Sequence, residues 1–234
     1  ASIGHLNELI RMREIVLDTE TTGFRQNDGD RIVEIGCIEL INHVATGNNY
    51  HQYINPKRSM PEGAFKVHGL SAEFLADFPV MADIVDEFIK FIGDEVPLII
   101  HNAEFDIGFL NAELKLLDKP MIPMSRSIDT VRMARKKFPG APASLDALCR
   151  RFSINNTGRT LHGALLDAQL LSEVYLELIG GRQPNFEMAL DEKNEASVIP
   201  ILAHRKPRRH TPSDAENKAH VEFLKKIIDP LWIN

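Results

Sequence analysis

The nine residues Ile15 to Gly23, IVLDTETTG, constrain the fold of this chain more than any other stretch. The apolar run Ile15-Val16-Leu17 reads as a buried strand. It leads into two carboxylates, Asp18 and Glu20, and side chains two apart on a strand point to the same face. Both acids therefore project together from the end of a buried strand. Like charges so placed repel, and desolvation adds to the cost. A hard divalent cation offsets that cost, because Mg2+ and Mn2+ favour carboxylate oxygen. On this stretch alone, a solvated turn carrying two surface acids remains the alternative.

Two later segments bear on that choice. In Ile99 to Leu110 (IIHNAEFDIGFL) a strand ends near His101, and Asp106 falls in the first turn of the next helix. The helix dipole favours a carboxylate there, so a plain helix-start acid is the simpler reading. His101 and Asn102 read as residues that hold the loop ahead of Asp106. In His162 to Gly181 (HGALLDAQLLSEVYLELIGG), Asp167 shares a helical face with Leu170, Leu171, Val174 and Leu178. That is a core-facing stripe, where a carboxylate is expensive unless paired or metal-bound. Glu173 and Glu177 fall on the opposite, solvated side. His162 stands five residues before Asp167, near the helix start. Alone it is a loop or capping residue. With Asp167 one turn away it becomes a candidate general base, since the unperturbed pKa of histidine lies near neutrality.

The pattern around these segments is that of an α/β domain. Arg31 to Ile41 alternates apolar and polar residues as a half-buried strand does, Thr46 to Asn49 (TGNN) is a turn signal, and Tyr50 to Ile54 is a third strand. Together with the first strand they form an antiparallel meander. Helices are expected over Met81–Ile92, Phe105–Leu117, Ser144–Phe152 and His162–Ile179, with a short strand at Pro97–His101; Gly180-Gly181 stops the last helix. A meander followed by alternating helices and strands implies a mixed sheet, antiparallel and parallel, flanked by helices.

The chain divides into four stretches. Residues 1–11 precede Met12 and read as an expression remnant, an alternative start or a native extension. Residues 12–181 form the folded domain. Residues 182–212 are polar and proline-punctuated, with a basic run from His204 to His210, and read as a linker. Residues 213–234 end the chain: Ser213 and Glu216 make a capping box for a helix reaching Ile228, and Trp232 follows.

Composition narrows the function classes. The formal net charge is −6, with the acid concentrated in residues 1–181 and a slight basic excess beyond them. That argues against a broad basic nucleic-acid platform, but not against a nuclease whose metal ions neutralise the scissile phosphate. Weak intrinsic DNA affinity, with a partner delivering the substrate, is the expectation. No apolar run is long enough to cross a membrane, and no secretion signal is recognised. Cys37 and Cys149 lack metal-ligand spacing, which fits two ordinary thiols in a reducing cytoplasm.

The order Asp-x-Glu, then Asp, then His-x4-Asp resembles the DEDDh family of 3′→5′ exonucleases, and in particular its proofreading branch from bacterial replicative polymerases. The resemblance covers about residues 13–181, and LHGALLDAQLLSEVYL at Leu161–Leu176 is its most specific part. It implies a ribonuclease H-like fold and two divalent cations, Mg2+ or Mn2+, bound by Asp18, Glu20, Asp106 and Asp167. Asp18 would bridge the ions, Glu20 and Asp167 would serve the nucleophile-side ion, and Asp106 would support the second; His162 would be the general base. The product would be a 5′-mononucleotide released from a DNA 3′ terminus. By the same resemblance Thr19, Thr21, Ala64, Phe65 and His68 are substrate-side candidates; Glu62 stands one position away from the family's acid.

Partners follow from layout. Gln183, Phe186 and Met188, within residues 183–188, resemble a sliding-clamp-binding peptide. The last segment, with Trp232, offers apolar anchors for the polymerase (alpha) subunit, and the family also admits a small theta-like subunit. Two other functions stay open: an RNA 3′-end trimmer of the same superfamily, and a non-catalytic scaffold joining clamp to polymerase.

Overall fold

The computed structural model describes residues 12–159, 161–180 and 211–226, the first two stretches lying in one unit and the third in another. The first unit holds β1 (Arg13–Thr21), β2 (Ile32–Ile41), β3 (Val44–Tyr53), α1 (Glu62–His68), α2 (Ala72–Leu75), α3 (Met81–Ile92), β4 (Leu98–Ile100), α4 (Ala103–Leu116), β5 (Ser127–Asp129), α5 (Thr130–Lys137), α6 (Leu145–Phe152) and α7 (Ala164–Leu178). The five strands form one sheet in the order β3-β2-β1-β4-β5. β1 is antiparallel to β2 and β2 to β3, whereas β4 runs parallel to both β1 and β5. This is the mixed sheet expected from the meander and the helices that follow it.

β1 lies at the centre, and its period of two sorts the core. Ile15 and Leu17 pack with α3 and α4 through Met81, Ile84, Phe88, Ile107 and Leu110. Val16 faces the other way, among Leu145, Leu148, Leu171 and Val174 of α6 and α7. Both faces of the sheet are thus covered by helices. The same alternation decides where the acids go: Asp18 and Glu20 continue the face of Val16, toward α7, while Thr19 continues that of Leu17, toward α4.

Gly36 explains how α7 comes so close. It is the cross-strand partner of Asp18 on β2. A Cβ at this position would lie 2.3 Å from both Ala164 C and Leu165 N, in the backbone of the first turn of α7. Only a glycine lets that helix start against the sheet beside Asp18.

Besides α1 and α2, helices that the patterning did not signal, two features depart from the sequence patterning. The turn between β2 and β3 is Asn42-His43, with φ of 51° and 66°, rather than Thr46–Asn49. Two consecutive positive φ values make the tight loop whose twist suits a hairpin, and Ile41 pairs directly with Val44. Gly47, at φ 87°, stays within β3, next to a register shift between Ile38 and Leu40. The glycine signal there marks an irregularity in the ladder, not a chain reversal. Second, β5 and α5 are not among the elements the patterning marked: β5 has three half-buried residues, and α5 buries only Thr130 and Ala134.

The second unit contains α8 (Asp214–Leu224). Ser213 caps it, accepting from the Glu216 N–H, while the Glu216 carboxylate accepts from the Ser213 N–H at 2.7 Å, the capping box expected. No helix among the described residues is long and apolar enough to cross a membrane. Residues 1–11, the clamp-like residues Gln183, Phe186 and Met188, and Trp232 lie outside the described residues.

Candidate active site

The four acids arrive from three elements. Asp18 and Glu20 come from the end of β1, Asp106 from the first turn of α4, and Asp167 from the first turn of α7. β1 and β4 are parallel neighbours, so the end of β1 and the loop leading into α4 emerge at the same edge of the sheet. α4 starts after Asn102, whose φ of 73° turns the chain abruptly out of β4. The Asn102 N–H donates to Asp129 and the His101 ring contacts the Thr130 hydroxyl at 2.9 Å, so these two residues do hold the turn ahead of Asp106. Asp106 in turn accepts from the Thr19 N–H at 3.1 Å and the Thr19 hydroxyl at 2.8 Å, which ties α4 to the strand.

All four acids and His162 line one cavity of about 570 Å3. Glu20, His162 and Asp167 present donor atoms within 4.8 Å of one another. His162 lies in the loop before α7 and is half-exposed, with Nδ1 3.4 Å from Asp167 Oδ2. Its backbone N–H donates to the Val67 carbonyl, which links this loop to α1 on the opposite wall.

The substrate-side candidates divide. Thr19, Thr21, Ala64 and His68 line the cavity with the acids. Phe65 does not: it borders a separate groove with Met60, Ser71 and Glu73. Helical phase is the reason, because Ala64, Val67 and His68 share a face and Phe65 is rotated from it by about 100°. Glu62 is exposed and pairs with Lys66 one turn on, at 2.6 Å. His68 is buried; its Nδ1 accepts from the Leu70 N–H at 3.0 Å, so its proton belongs on Nε2. That Nε2 is buried without a hydrogen-bond partner.

The electrostatics of the cluster are lopsided. Burial, and then the charges of Asp106, Glu20 and Asp167, push the Asp18 carboxyl well above its ordinary value. Burial and the neighbouring Asp167 and Glu34 raise Glu20 to about 8. Burial raises Asp106 to about 7, against the opposing hydrogen bonds from Thr19. Asp167 goes the other way. Burial would raise it, but hydrogen bonds from His162 and Arg159 and the Arg159 charge outweigh that and lower it.

Comparison with known proteins places this geometry. The exonuclease family RNase_T matches residues 15–175. A DNA polymerase III subunit epsilon of Salmonella typhimurium is 54% identical, over 91% of this chain and 92% of that protein. One of Rickettsia conorii is 50% identical, over 93% of this chain and 97% of that protein. The chain belongs to the DNA polymerase III epsilon family of exonucleases. Among solved structures, exonuclease X in complex with 5′ overhanging duplex DNA is 27% identical, with a TM-score of 0.56, covering 70% of this chain and 90% of that one. The DEDDh exonucleases that include epsilon subunits depend on divalent metal.

Phe24 and Arg159 are among the cavity residues of this epsilon-family chain that sequence reasoning missed. Phe24, directly after the TETTG run, is 81% exposed at the cavity and lies 6.4 Å from the Phe105 ring. An aromatic next to a strand-end motif is a weak signal by itself. Arg159 is the second, buried against Asp167. Its signal is a lone arginine three residues before the histidine of an otherwise acidic constellation.

Proposed function

We infer that this protein is a 3′→5′ exonuclease that removes nucleotides from DNA 3′ ends as the proofreading subunit of a bacterial polymerase III. The observation that carries this reading is the convergence of Asp18, Glu20, Asp106, Asp167 and His162 on one cavity from three separate elements. The donor set fits hard divalent cations. All four acids offer oxygen, and among the described residues no arginine, lysine or histidine pairs with Asp18, Glu20 or Asp106 within 4.0 Å. Asp18, Glu20, Asp106 and Asp167 would hold two ions, Mg2+ or Mn2+. When bound, the pair supplies Lewis-acid stabilisation to the attacking and leaving oxygens of an in-line displacement.

The remaining work falls to the chain's own groups. His162, at the cavity edge, takes the proton from the attacking water. Thr19 and Thr21 position the terminal nucleotide, and Ala64 and His68 form the opposite wall. The exposed ring of Phe24 offers an apolar face on which a base can stack. The relatives are named as subunits of a DNA polymerase, which favours DNA over RNA and a replication assembly over a stand-alone trimmer. The polymerase III alpha subunit, a sliding clamp engaged through residues 183–188 and a theta-like subunit are the partners this reading includes, in the bacterial cytoplasm.

The test is product analysis. Purified full-length protein with Mg2+ or Mn2+ should release deoxymononucleotides stepwise from the 3′ end of single-stranded DNA, faster than from RNA of the same sequence. A mismatched terminus should be cut faster than a paired one, because fraying delivers a single strand to a narrow site. Preference for RNA, or equal rates on paired and mismatched ends, would overturn the proofreading assignment.

A further inference from the structure

Among the described residues, Arg159 is the one arginine or lysine in the cavity wall with a buried side chain. Only 7% of its side chain is exposed, whereas Arg25, which also lines the cavity, is largely exposed and pairs with Asp28. The Arg159 guanidinium grips Asp167 with a two-pronged fork: Nε donates to Oδ1 and Nη2 to Oδ2, both at 2.6 Å. Nη2 also lies 2.9 Å from His162 Nδ1. On its far side Nη1 donates to Asp146 Oδ1 at 2.8 Å. Asp146 stands on α6, half-exposed, and accepts from the Asn156 side chain at 3.0 Å. Burial opposes the Arg159 charge, but the bonds and charges of Asp167 and Asp146 prevail and hold its pKa above the ordinary arginine value.

The fork occupies both oxygens of Asp167. Each oxygen keeps a second lone pair, so geometry alone does not forbid a cation there. Charge does oppose it. A guanidinium fixed on a carboxylate repels a divalent ion seeking the same carboxylate, and does so strongly in a partly desolvated wall. Asp146 offers the guanidinium somewhere to remain, since it is bound by a different nitrogen and faces away from Asp167.

We propose that Arg159 is a competing counter-ion for this site: its guanidinium and a divalent cation contend for Asp167, and Asp146 retains Arg159 when Asp167 turns to the cation. The proposal rests on reading Asp167 as a metal ligand. It makes cation affinity a balance of two carboxylates on one arginine, so that residues remote from the metal set how much free divalent ion the site requires. The opposite role, a brace that orients Asp167 for the metal, has the opposite sign in experiment.

The test is Mn2+ binding to the EDTA-stripped, dialysed full chain, read by calorimetry and by the loss of free Mn2+ resonance signal, with thermal unfolding to establish that each variant is folded. Arg159→Gln should bind Mn2+ about tenfold more tightly, the scale of one charge-assisted hydrogen-bonded contact. Asp146→Asn should bind about threefold more weakly, since Arg159 then has Asp167 as its main carboxylate and a negative charge is lost nearby. In the double variant the Asp146 effect should shrink, as expected for coupled groups. Unchanged or weaker binding by Arg159→Gln makes the arginine a brace and overturns the proposal. Should Arg159→Gln not fold, Asp146→Asn decides: unchanged or tighter binding by it overturns the proposal as well. Absence of Mn2+ binding by the unaltered chain, equal to that of Asp18→Ala, is a separate failure; it removes the metal-site reading and this inference with it.

Discussion

Buried carboxylates in this protein fall into two groups. Glu14, Glu34 and Glu113 are buried without lining the cavity, and each has a positively charged or hydrogen-bonding partner: Glu14 with His43 and the Tyr175 hydroxyl, both at 2.7 Å, Glu34 with His51 at 2.7 Å, and Glu113 with Arg31 at 2.6 Å. Half-buried Asp18 and buried Glu20 and Asp106 have no cationic partner within salt-bridge distance among the described residues; Asp106 has only Thr19. The same fold pairs its acids where they hold strands and helices together and leaves them unpaired at one edge of the sheet. Unpaired burial is costly, and a chain that gathers three such acids around one cavity has a use for the charge that a paired acid cannot serve. Asp167 stands between the groups: it belongs to the cavity by position and to the paired acids by its bond to Arg159.

The comparison predicts different losses in the two groups. The largest is catalytic. His162→Ala should lower turnover about 10²–10⁴-fold, the usual yield of a positioned general base, with little change in stability because the side chain is half-exposed. Activity within tenfold of normal would remove His162 from the mechanism. Next come substitutions that separate stability from function. Glu113→Ala leaves Arg31 without its partner and should destabilise the domain by about 2 kcal/mol in urea unfolding, while the folded fraction keeps its activity. Glu20→Gln should do the reverse: equal or greater stability in EDTA, with activity lost. If both variants lose stability alike, the two groups of acids are not different in kind.

The smallest effect is a pH dependence, and its sign follows from the shifts. An acid whose folded pKa is raised still binds its proton in the folded state over a range where the unfolded chain has released it. Stability therefore falls as pH rises through that range. Glu20 is raised from 4.5 to about 8 and Asp106 from 3.8 to about 7, so in EDTA the melting temperature should fall between about pH 4.5 and pH 8. Asp167, held below its ordinary value, adds stability that is lost only under more acidic conditions. Each kcal/mol is worth about 2–4 °C for a domain of this size. Excess Mg2+ should flatten the slope; a melting temperature that rises with pH in EDTA would contradict the assigned shifts.

Most of the acidic site was legible because period and chemistry coincide there. Asp18 and Glu20 share a strand face, and Asp167 sits on an apolar helical stripe, so the sequence itself displays a charge where none is comfortable. The long amphipathic helix α3 declares itself for the same reason. What stayed hidden lacks a period or depends on distant partners. β5 is too short to alternate, and α5 is short and mostly charged, burying only Thr130 and Ala134. The hairpin turn at Asn42-His43 was overshadowed by Thr46–Asn49, because Gly47 signals a positive φ without saying whether the chain reverses. Phe65 was grouped with Ala64 and His68 from the segment as a whole, and only the helical phase of α1 separates them. Arg159 and Asp146 lie thirteen residues apart and meet through the packing of α6 beside α7, which no local pattern encodes.

The most direct measurement compares the unaltered protein with Asp18→Ala on 5′-labelled single-stranded DNA in Mg2+, Mn2+ or EDTA, alongside thermal unfolding of both. The unpaired acid cluster as a cation site for DNA hydrolysis predicts metal-dependent shortening from the 3′ end by the unaltered protein. It predicts a loss of about 10³-fold or more in the variant, which should still fold. Near-normal shortening by Asp18→Ala, or shortening that persists in EDTA, would contradict it.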